Sequence, residues 1–83
     1  MHIFFISFAR QPSMNSLLEN LGQQIRERRN FLRITQGDLS EIAGVSLRSL
    51  IDIEQGKGNP SLSQLMKILD VLGLQIIITN KQG

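Results

Sequence analysis

The 83-residue sequence contains no cysteine and a single histidine, and each scarcity excludes a kind of chemistry. Without cysteine the chain has no disulfide, no thiolate metal ligand, no thiol nucleophile and no redox centre, which fits a reducing cytoplasm. One chain with only His2 cannot assemble a histidine cluster for metal binding or base catalysis. Since the sequence also offers no nucleophile–base pair and no phosphate loop, we predict no metal, no cofactor and no enzymatic activity.

Long apolar runs are missing as well. No stretch approaches the ~20 apolar residues that a membrane-spanning helix needs. The apolar segment over residues 2–9 (HIFFISFA) has no basic residues before it and no small-residue cleavage site after it, which argues against a signal peptide. We therefore expect a cytoplasmic protein with no membrane partner. Residues 1–13 are predicted to be an N-terminal extension, which is either an added strand or a stretch upstream of a true start at Met14.

Size and charge bound the remaining possibilities. From its 83 residues we expect one small domain, without a second, catalytic one. A core this small is barely adequate unless a partner chain completes it, so oligomerisation is expected. Nine Lys and Arg against seven Asp and Glu give a net charge of +2, which permits a polyanion as partner without demonstrating one.

The first predicted helix begins near residue 16. Ser16 and Glu19 form a capping-box pair, and the helix is expected to run from about Leu17 to Phe31 or Leu32. Helical spacing assigns apolar residues to the buried side of all four predicted helices. These are Leu17, Leu18, Leu21, Ile25 and Leu32 in the first, Leu39, Ile42 and Ala43 in the second, Leu50 and Ile53 in the third, and Leu62, Leu65, Met66, Leu69 and Leu72 in the fourth.

The second and third predicted helices are separated by a very short turn. Thr35 with Asp38 repeats the capping-box pattern and opens a helix over residues 36–43, which Gly44 ends. Ser46 is a good N-cap for a third helix that runs to about Gln55. A glycine-containing connection of about three to four residues is the spacing of a helix-turn-helix.

The C-terminal part of the chain predicts a fourth helix and then a strand. Ser61 caps the helix, Gly73 ends it, and residues 74–79 (LQIIIT) are rich in β-branched residues. The strand has two largely apolar faces, and its edges need partners. Residues 3–8 of the same chain could pair with it, or the same strand of a second copy across a two-fold axis. The predicted dimer-interface residues are Leu74, Gln75, Ile76, Ile77, Ile78 and Thr79.

Four blocks of sequence carry a family resemblance. They are TQ-x-x-L at 35–39, AGVS at 43–46, IEQGKGNPS at 53–61 and LGL at 72–74. In this order and spacing the chain resembles the Xre/lambda-repressor-like helix-turn-helix family. The resemblance implies a mainly α, four- to five-helix DNA-binding domain over residues 14–73, with a dimerisation strand and tail over residues 74–83. Arg33 departs from the family pattern, which has a glycine in the turn before TQ.

The resemblance also implies a function. It predicts a sequence-specific, nucleoid-associated repressor in the bacterial cytoplasm, which binds double-stranded DNA at a palindromic operator as a homodimer. The apolar strand directly after LGL resembles the HipB-type antitoxin branch, in which such strands pair across the dimer. A member of that branch would autoregulate its operon and bind a HipA-like kinase toxin. The alternative is a stand-alone repressor with no toxin partner.

The outward face of the third helix is predicted to contact DNA bases. Its residues are Leu47, Arg48, Ile51 and Asp52. Arginine can donate two hydrogen bonds to guanine, and an aliphatic side chain can cover a thymine methyl. Asp52 either accepts from cytosine or holds Arg48 in place. In the alternative interpretations Arg48 and Asp52 are a solvated pair, and Leu47 and Ile51 are incidental surface aliphatics or a small protein interface.

The rim around that face is predicted to contact phosphates. The residues are Gln36, Ser46 and Ser49 in first helical turns, and Lys57 and Asn59 in the loop after the third helix. The alternatives are a purely capping role for Ser46 and a solvated loop charge for Lys57. The family resemblance further implies a structural ion pair of Arg29 with Glu54.

Overall fold

The computed structural model describes residues 4–5, 14–78 and 80, which contain four helices and one two-stranded sheet. The helices are α1 (Met14–Phe31), α2 (Gln36–Ala43), α3 (Leu47–Glu54) and α4 (Leu62–Leu72), and the strands are β1 (Phe4–Phe5) and β2 (Ile76–Ile77). The predicted fold class, a mainly α helix-turn-helix domain followed by a short strand, is confirmed. No helix within these residues is both long enough and apolar enough to cross a membrane.

The N-caps of three helices lie where the sequence predicts them. Thr35 Oγ1 accepts a hydrogen bond from the Asp38 N–H at 3.0 Å, and Ser46 Oγ accepts one from the Ser49 N–H at the same distance. Ser61 begins α4 with a complete capping box, in which its backbone and side chain both bind Gln64. Each cap satisfies backbone donors that have no partner within the helix, which is why α2, α3 and α4 begin at these residues.

The predicted start of the first helix is wrong. The helix begins at Met14, so Ser16 lies in its first turn and is not an N-cap. An N-cap residue has an extended backbone conformation, whereas Ser16 follows two helical residues and is itself helical. The spacing of a serine and a glutamate was therefore an insufficient signal for the helix start.

Eleven apolar side chains form one buried core. They are Leu17, Leu21, Ile25, Leu39, Ala43, Leu50, Ile53, Leu65, Ile68, Leu69 and Leu72. All but Ile68 were assigned to the inward side from helical spacing. All four helices contribute side chains to this core.

Several residues predicted to face inward do not. Ile42 is 65% exposed because the buried side of α2 consists of Leu39, Ser40 and Ala43. On α4, Leu62 and Met66 are exposed because the buried side is centred on Leu65, Ile68, Leu69 and Leu72. Leu18 is only half-buried, and Leu32 is exposed just beyond the end of α1.

Helix α1 is held against α3 and α4 by two close approaches. A Cβ at Gly22 would overlap the backbone carbonyl oxygen of Ile53 and would lie 2.8 Å from that of Glu54. Near the C-terminal end of α1, Arg28 Nε donates to the carbonyl oxygen of Leu72 at 3.0 Å, in the last turn of α4. These contacts hold the C-terminal end of α3 and the C-terminal end of α4 against α1.

The strand pairing follows one of the two alternatives that the sequence left open. β1 and β2 run parallel, with Phe4 opposite Ile76 and Phe5 opposite Ile77. The paired segment is shorter than the predicted strand over residues 74–79: Leu74, Gln75 and Ile78 lie outside it, and Thr79 lies outside the described residues. Leu74 and Ile76 pack against the core, whereas Ile78 is 76% exposed.

Candidate nucleic-acid interface

Helices α2 and α3 are joined by the three residues Gly44, Val45 and Ser46. Gly44 has φ of +73°, a left-handed conformation that glycine adopts without steric cost. The Val45 N–H donates to the Ser40 carbonyl at 3.0 Å and closes the turn. The short turn and the two capped helices together form the predicted helix-turn-helix.

Helix α3 buries one side and exposes the other. Leu50 and Ile53 are buried in the core. Leu47 and Arg48 are exposed on the opposite side, and Ile51 and Asp52 are partly exposed beside them. The four side chains predicted to contact bases therefore share the outward face of α3.

On this outward face Arg48 and Asp52 form an ion pair one helical turn apart. Arg48 Nη2 lies 3.1 Å from Asp52 Oδ1, and the arginine side chain is 78% exposed. A guanidinium has five N–H donors, so the ion pair leaves donors available to a ligand. This geometry fits both a solvated pair and an arginine held in place by Asp52.

A buried hydrogen-bond network around Glu54 lies behind α3. Arg29 binds the carboxylate through Nε (2.8 Å to Oε2) and Nη2 (3.0 Å to Oε1), and its Nη1 donates to the Ile34 carbonyl at 3.0 Å. Gln36 Nε2 also donates to Glu54 Oε1, at 3.2 Å. This bond turns the Gln36 amide toward Glu54, and the Gln36 backbone N–H lies in the first turn of α2, where it can donate to an external ligand.

A cleft of about 120 Å³ lies between α3 and the start of α4. It is lined by Ser49 and Asp52 of α3, by Lys57, Gly58 and Asn59 of the loop, and by Gln64 of α4. Three of the five predicted phosphate contacts, Ser49, Lys57 and Asn59, thus meet at one place. Gln36 and Ser46 are not among the residues that line the cleft.

Gln64 was missed by the sequence analysis. The signal that could have found it is the Ser-x-x-Gln spacing from Ser61, because a reciprocal capping box fixes the direction of the glutamine side chain. The residues around Gln64 in the cleft could not be recognised from the sequence, because they come from α3 and the following loop, whereas Gln64 belongs to α4. No group of three or more His, Cys, Asp and Glu residues suited to a metal ion occurs in the part of the chain that the structure describes.

The loop between α3 and α4 is ordered by its own backbone. The Lys57 N–H donates to the Asp52 carbonyl at 2.8 Å. At the other end of α3, the Ser46 and Ser49 hydroxyl groups lie 2.8 Å apart. Backbone and hydroxyl hydrogen bonds thus hold Lys57 and Ser49 beside the outward face of α3.

A model of the helix-turn-helix family HTH_3 matches residues 25–77, which include the turn, both of its helices and the whole of α4. The chain belongs to this family. The family-level resemblance read from the sequence is confirmed, and the match covers the elements that form the outward face and the cleft.

Similar proteins include phage and bacterial regulators. The immunity repressor protein of Bacillus phage phi105 is 41% identical over 56 residues, which are 68% of this chain and 39% of that protein. An uncharacterized HTH-type transcriptional regulator of Sinorhizobium fredii, y4mF, is 32% identical over 71% of this chain and 78% of its own length. The chain therefore spans well under half the length of the phage repressor and most of the Sinorhizobium protein.

A solved structure has the same fold. The crystal structure of the restriction-modification controller protein C.AhdI from Aeromonas hydrophila superimposes with a TM-score of 0.68 at 27% identity. The match covers 72% of this chain and 91% of the controller protein. The helical domain is thus common to both proteins.

Proposed function

We propose that this protein is a DNA-binding transcriptional repressor and not an enzyme. The observation that carries the proposal is the arrangement of α3, which is fixed by its buried side and by a three-residue turn and presents Arg48 outward. A short helix presented in this way fits the major groove of B-DNA. The similarity to a phage immunity repressor supports the same function.

Base contacts are assigned to the outward face of α3. Arg48 donates to guanine, and Asp52 holds the guanidinium in place through the 3.1 Å ion pair. Leu47 and Ile51 cover thymine methyl groups. Phosphate contacts come from Ser49, Lys57 and Asn59 at the cleft, from the Ser46 region at the start of α3, and from the backbone N–H of Gln36.

The repressor is proposed to act as a homodimer on a palindromic operator. Two recognition helices on one face of a duplex must lie one helical turn apart, which a two-fold axis provides. Support comes from the exposed apolar side chain of Ile78 beside β2, because a strand edge with apolar side chains favours pairing. The proposed location is the cytoplasm, with the protein bound to the nucleoid.

An antitoxin function is the second candidate. The observation that favours it is the strand that follows the end of α4 at Gly73, which resembles the HipB-type branch. In that case the protein would bind a HipA-like kinase toxin and repress the operon that encodes both. An adjacent kinase-like reading frame, together with growth rescue when the two are co-expressed, distinguishes the antitoxin from a stand-alone repressor.

The repressor proposal is tested by DNA affinities that distinguish contacts to bases from the general attraction between positive side chains and phosphates. A binding site is first selected from a random duplex library, and affinities are then measured for that site and for random duplex. Arg48→Ala should lose about 1–3 kcal/mol of binding free energy on the selected site and much less on random duplex. Lys57→Ala should weaken both and reduce the salt dependence of log K by about 1.

Asp52 requires a control, since Arg48→Ala also leaves its carboxylate unpaired. An unpaired carboxylate would repel the DNA phosphates. Arg48→Ala is therefore also measured in an Asp52→Asn background, where that repulsion is absent and only the arginine is lost. Equal losses on selected and random duplex in this background would contradict the base-contact assignment. A wild-type protein that binds no duplex at all would contradict the proposed function.

A further inference from the structure

We propose that Gln64 of α4 is a further DNA-contacting residue, whose side-chain amide donates a hydrogen bond to a backbone phosphate in the cleft between α3 and α4. The proposal rests on the proposed DNA-binding function and extends the interface from the helix-turn-helix to a third helix.

The capping box at the start of α4 fixes the Gln64 amide. The Ser61 N–H donates to Gln64 Oε1 at 3.2 Å, and the Gln64 N–H donates to Ser61 Oγ at 3.1 Å. With its oxygen bound to Ser61, the planar amide directs Nε2 the opposite way. Within residues 14–78, Nε2 has no acceptor, so its two N–H groups are available to a ligand in the cleft that Gln64 lines.

The charges of the cleft suit an anion. Lys57 supplies a positive charge, and Ser49 and Asn59 supply a hydroxyl and an amide that can donate. The one carboxylate that lines it, Asp52, is balanced by Arg48 at 3.1 Å. Because the Asp52 charge is balanced by Arg48, which lies outside the cleft, the Lys57 ammonium and several hydrogen-bond donors remain to bind a phosphate.

The position of the cleft identifies the source of the phosphate. Asp52 belongs both to its lining and to the outward face of α3, so a duplex contacted by that face has a strand backbone beside the cleft. A phosphate bound there would touch α3, the loop and α4 together and would fix the orientation of α3 on the duplex.

Gln64→Glu tests the proposal because the capping box survives it. A glutamate still accepts from the Ser61 N–H, and a negative charge near a helix N-terminus is favourable, so the melting temperature should be unchanged or higher. A carboxylate cannot donate and it repels phosphate. The affinity for a short mixed-sequence duplex at low salt should therefore fall about tenfold.

Gln24→Glu is the matched control. It makes the same change of charge at an exposed position of α1 that does not line the cleft, and it should change the affinity by less than about twofold. Gln64→Met is a neutral second variant of similar size that lacks both donors and also the oxygen that accepts from the Ser61 N–H, so its melting temperature is measured beside its affinity. Its affinity should fall about threefold, and it decides the test if Gln64→Glu fails to fold.

The outcomes separate this proposal from the proposed function. Wild-type affinity in folded Gln64→Glu or Gln64→Met overturns the contact by Gln64 and leaves the DNA-binding function intact. Equal losses in Gln64→Glu and Gln24→Glu assign the effect to net charge and also overturn it. A wild-type protein that binds neither mixed-sequence nor selected duplex overturns both proposals together.

Discussion

At the scale of single residues, the buried carboxylate of Glu54 depends on partners from two other helices. Its carboxylate is buried and accepts hydrogen bonds from Arg29 of α1 and Gln36 of α2, although it belongs to α3. A buried charge is stable only while it is paired and hydrogen-bonded. The Glu54 carboxylate therefore links α1, α2 and α3, and it helps to hold the two helices of the helix-turn-helix in their relative positions.

Arg29→Ala should lower the melting temperature in the absence of DNA. The substitution leaves the Glu54 carboxylate buried without its cation, which costs roughly 3 kcal/mol of unfolding free energy. Arg26→Ala is the matched control on the same helix, since Arg26 is exposed, and its cost should stay within about 0.5 kcal/mol. Thermal denaturation followed by circular dichroism measures both. An Arg29→Ala protein with unchanged stability and reduced DNA affinity would instead place Arg29 in the DNA interface.

At the scale of elements, all four helices end in the same way. After each one, a residue with positive φ donates to a carbonyl three residues back, and the next residue donates to a carbonyl five residues back. This is the Schellman motif, in which glycine is favoured because the left-handed conformation costs it nothing. The positive-φ residues are Arg33, Gly44, Gly56 and Gly73, so only α1 ends without a glycine.

Arg33→Gly should therefore stabilise the protein. Arg33 has φ of +58°, a conformation that costs a residue with a Cβ about 1–2 kcal/mol and that glycine adopts freely. The greater flexibility of glycine in the unfolded chain offsets about 0.5–1 kcal/mol of the stability gained by removing this strain. The net increase in unfolding free energy should be about 0.5–1 kcal/mol.

Gly44→Ala is the converse control for Arg33→Gly. No atom would lie within 4 Å of the added Cβ, so its expected loss of about 1 kcal/mol reports the backbone conformation alone. Urea denaturation measures both variants. A destabilised Arg33→Gly would mean that the arginine side chain contributes more to stability than its strained backbone costs.

Local signals in the sequence predicted most of the helical structure. Thr35, Ser46 and Ser61 act within one helical turn, so their caps could be recognised from spacing alone. The left-handed conformation of Arg33 could not be recognised in this way, because arginine has no preference for that conformation. Only the family pattern, which has a glycine at this position, marked Arg33 as unusual. Ile42 and Leu62 were wrongly assigned to the core because spacing defines one side of a helix but not how wide a stripe the neighbouring helices cover.

The candidate interface could be predicted from the sequence only in part, because some of its residues come together through tertiary packing. The outward face of α3 follows from one helix, so Arg48 and its neighbours could be named from periodicity. The cleft joins Ser49 to Gln64 through packing of α4 against the rest of the fold, which no local pattern encodes. The inward turn of the Gln36 side chain toward Glu54 is likewise a consequence of tertiary packing.

At the scale of the whole molecule, the proposed dimer would connect the strand region to DNA binding. β2 pairs with β1 along one edge, and a second copy pairing along the other edge would extend the sheet across a two-fold axis. A monomer engages only one half-site. Loss of the dimer should therefore weaken operator binding by far more than loss of any single base contact, because the second recognition helix loses its effective concentration.

Ile78→Lys should convert the proposed dimer to a monomer. Ile78 is 76% exposed, so a charge there spares the core of the monomer and disrupts only an interface formed by residues 74–79. Analytical ultracentrifugation compares this variant with Leu62→Lys, which places the same charge at another exposed apolar residue, on α4, and should leave the dimer intact. Deletion of residues 1–13 removes β1 and should also preserve the dimer if the C-terminal strand forms it. A dimer that survives Ile78→Lys but dissociates on the deletion is built by the N-terminal segment, and a dimer lost in Leu62→Lys has its interface on α4.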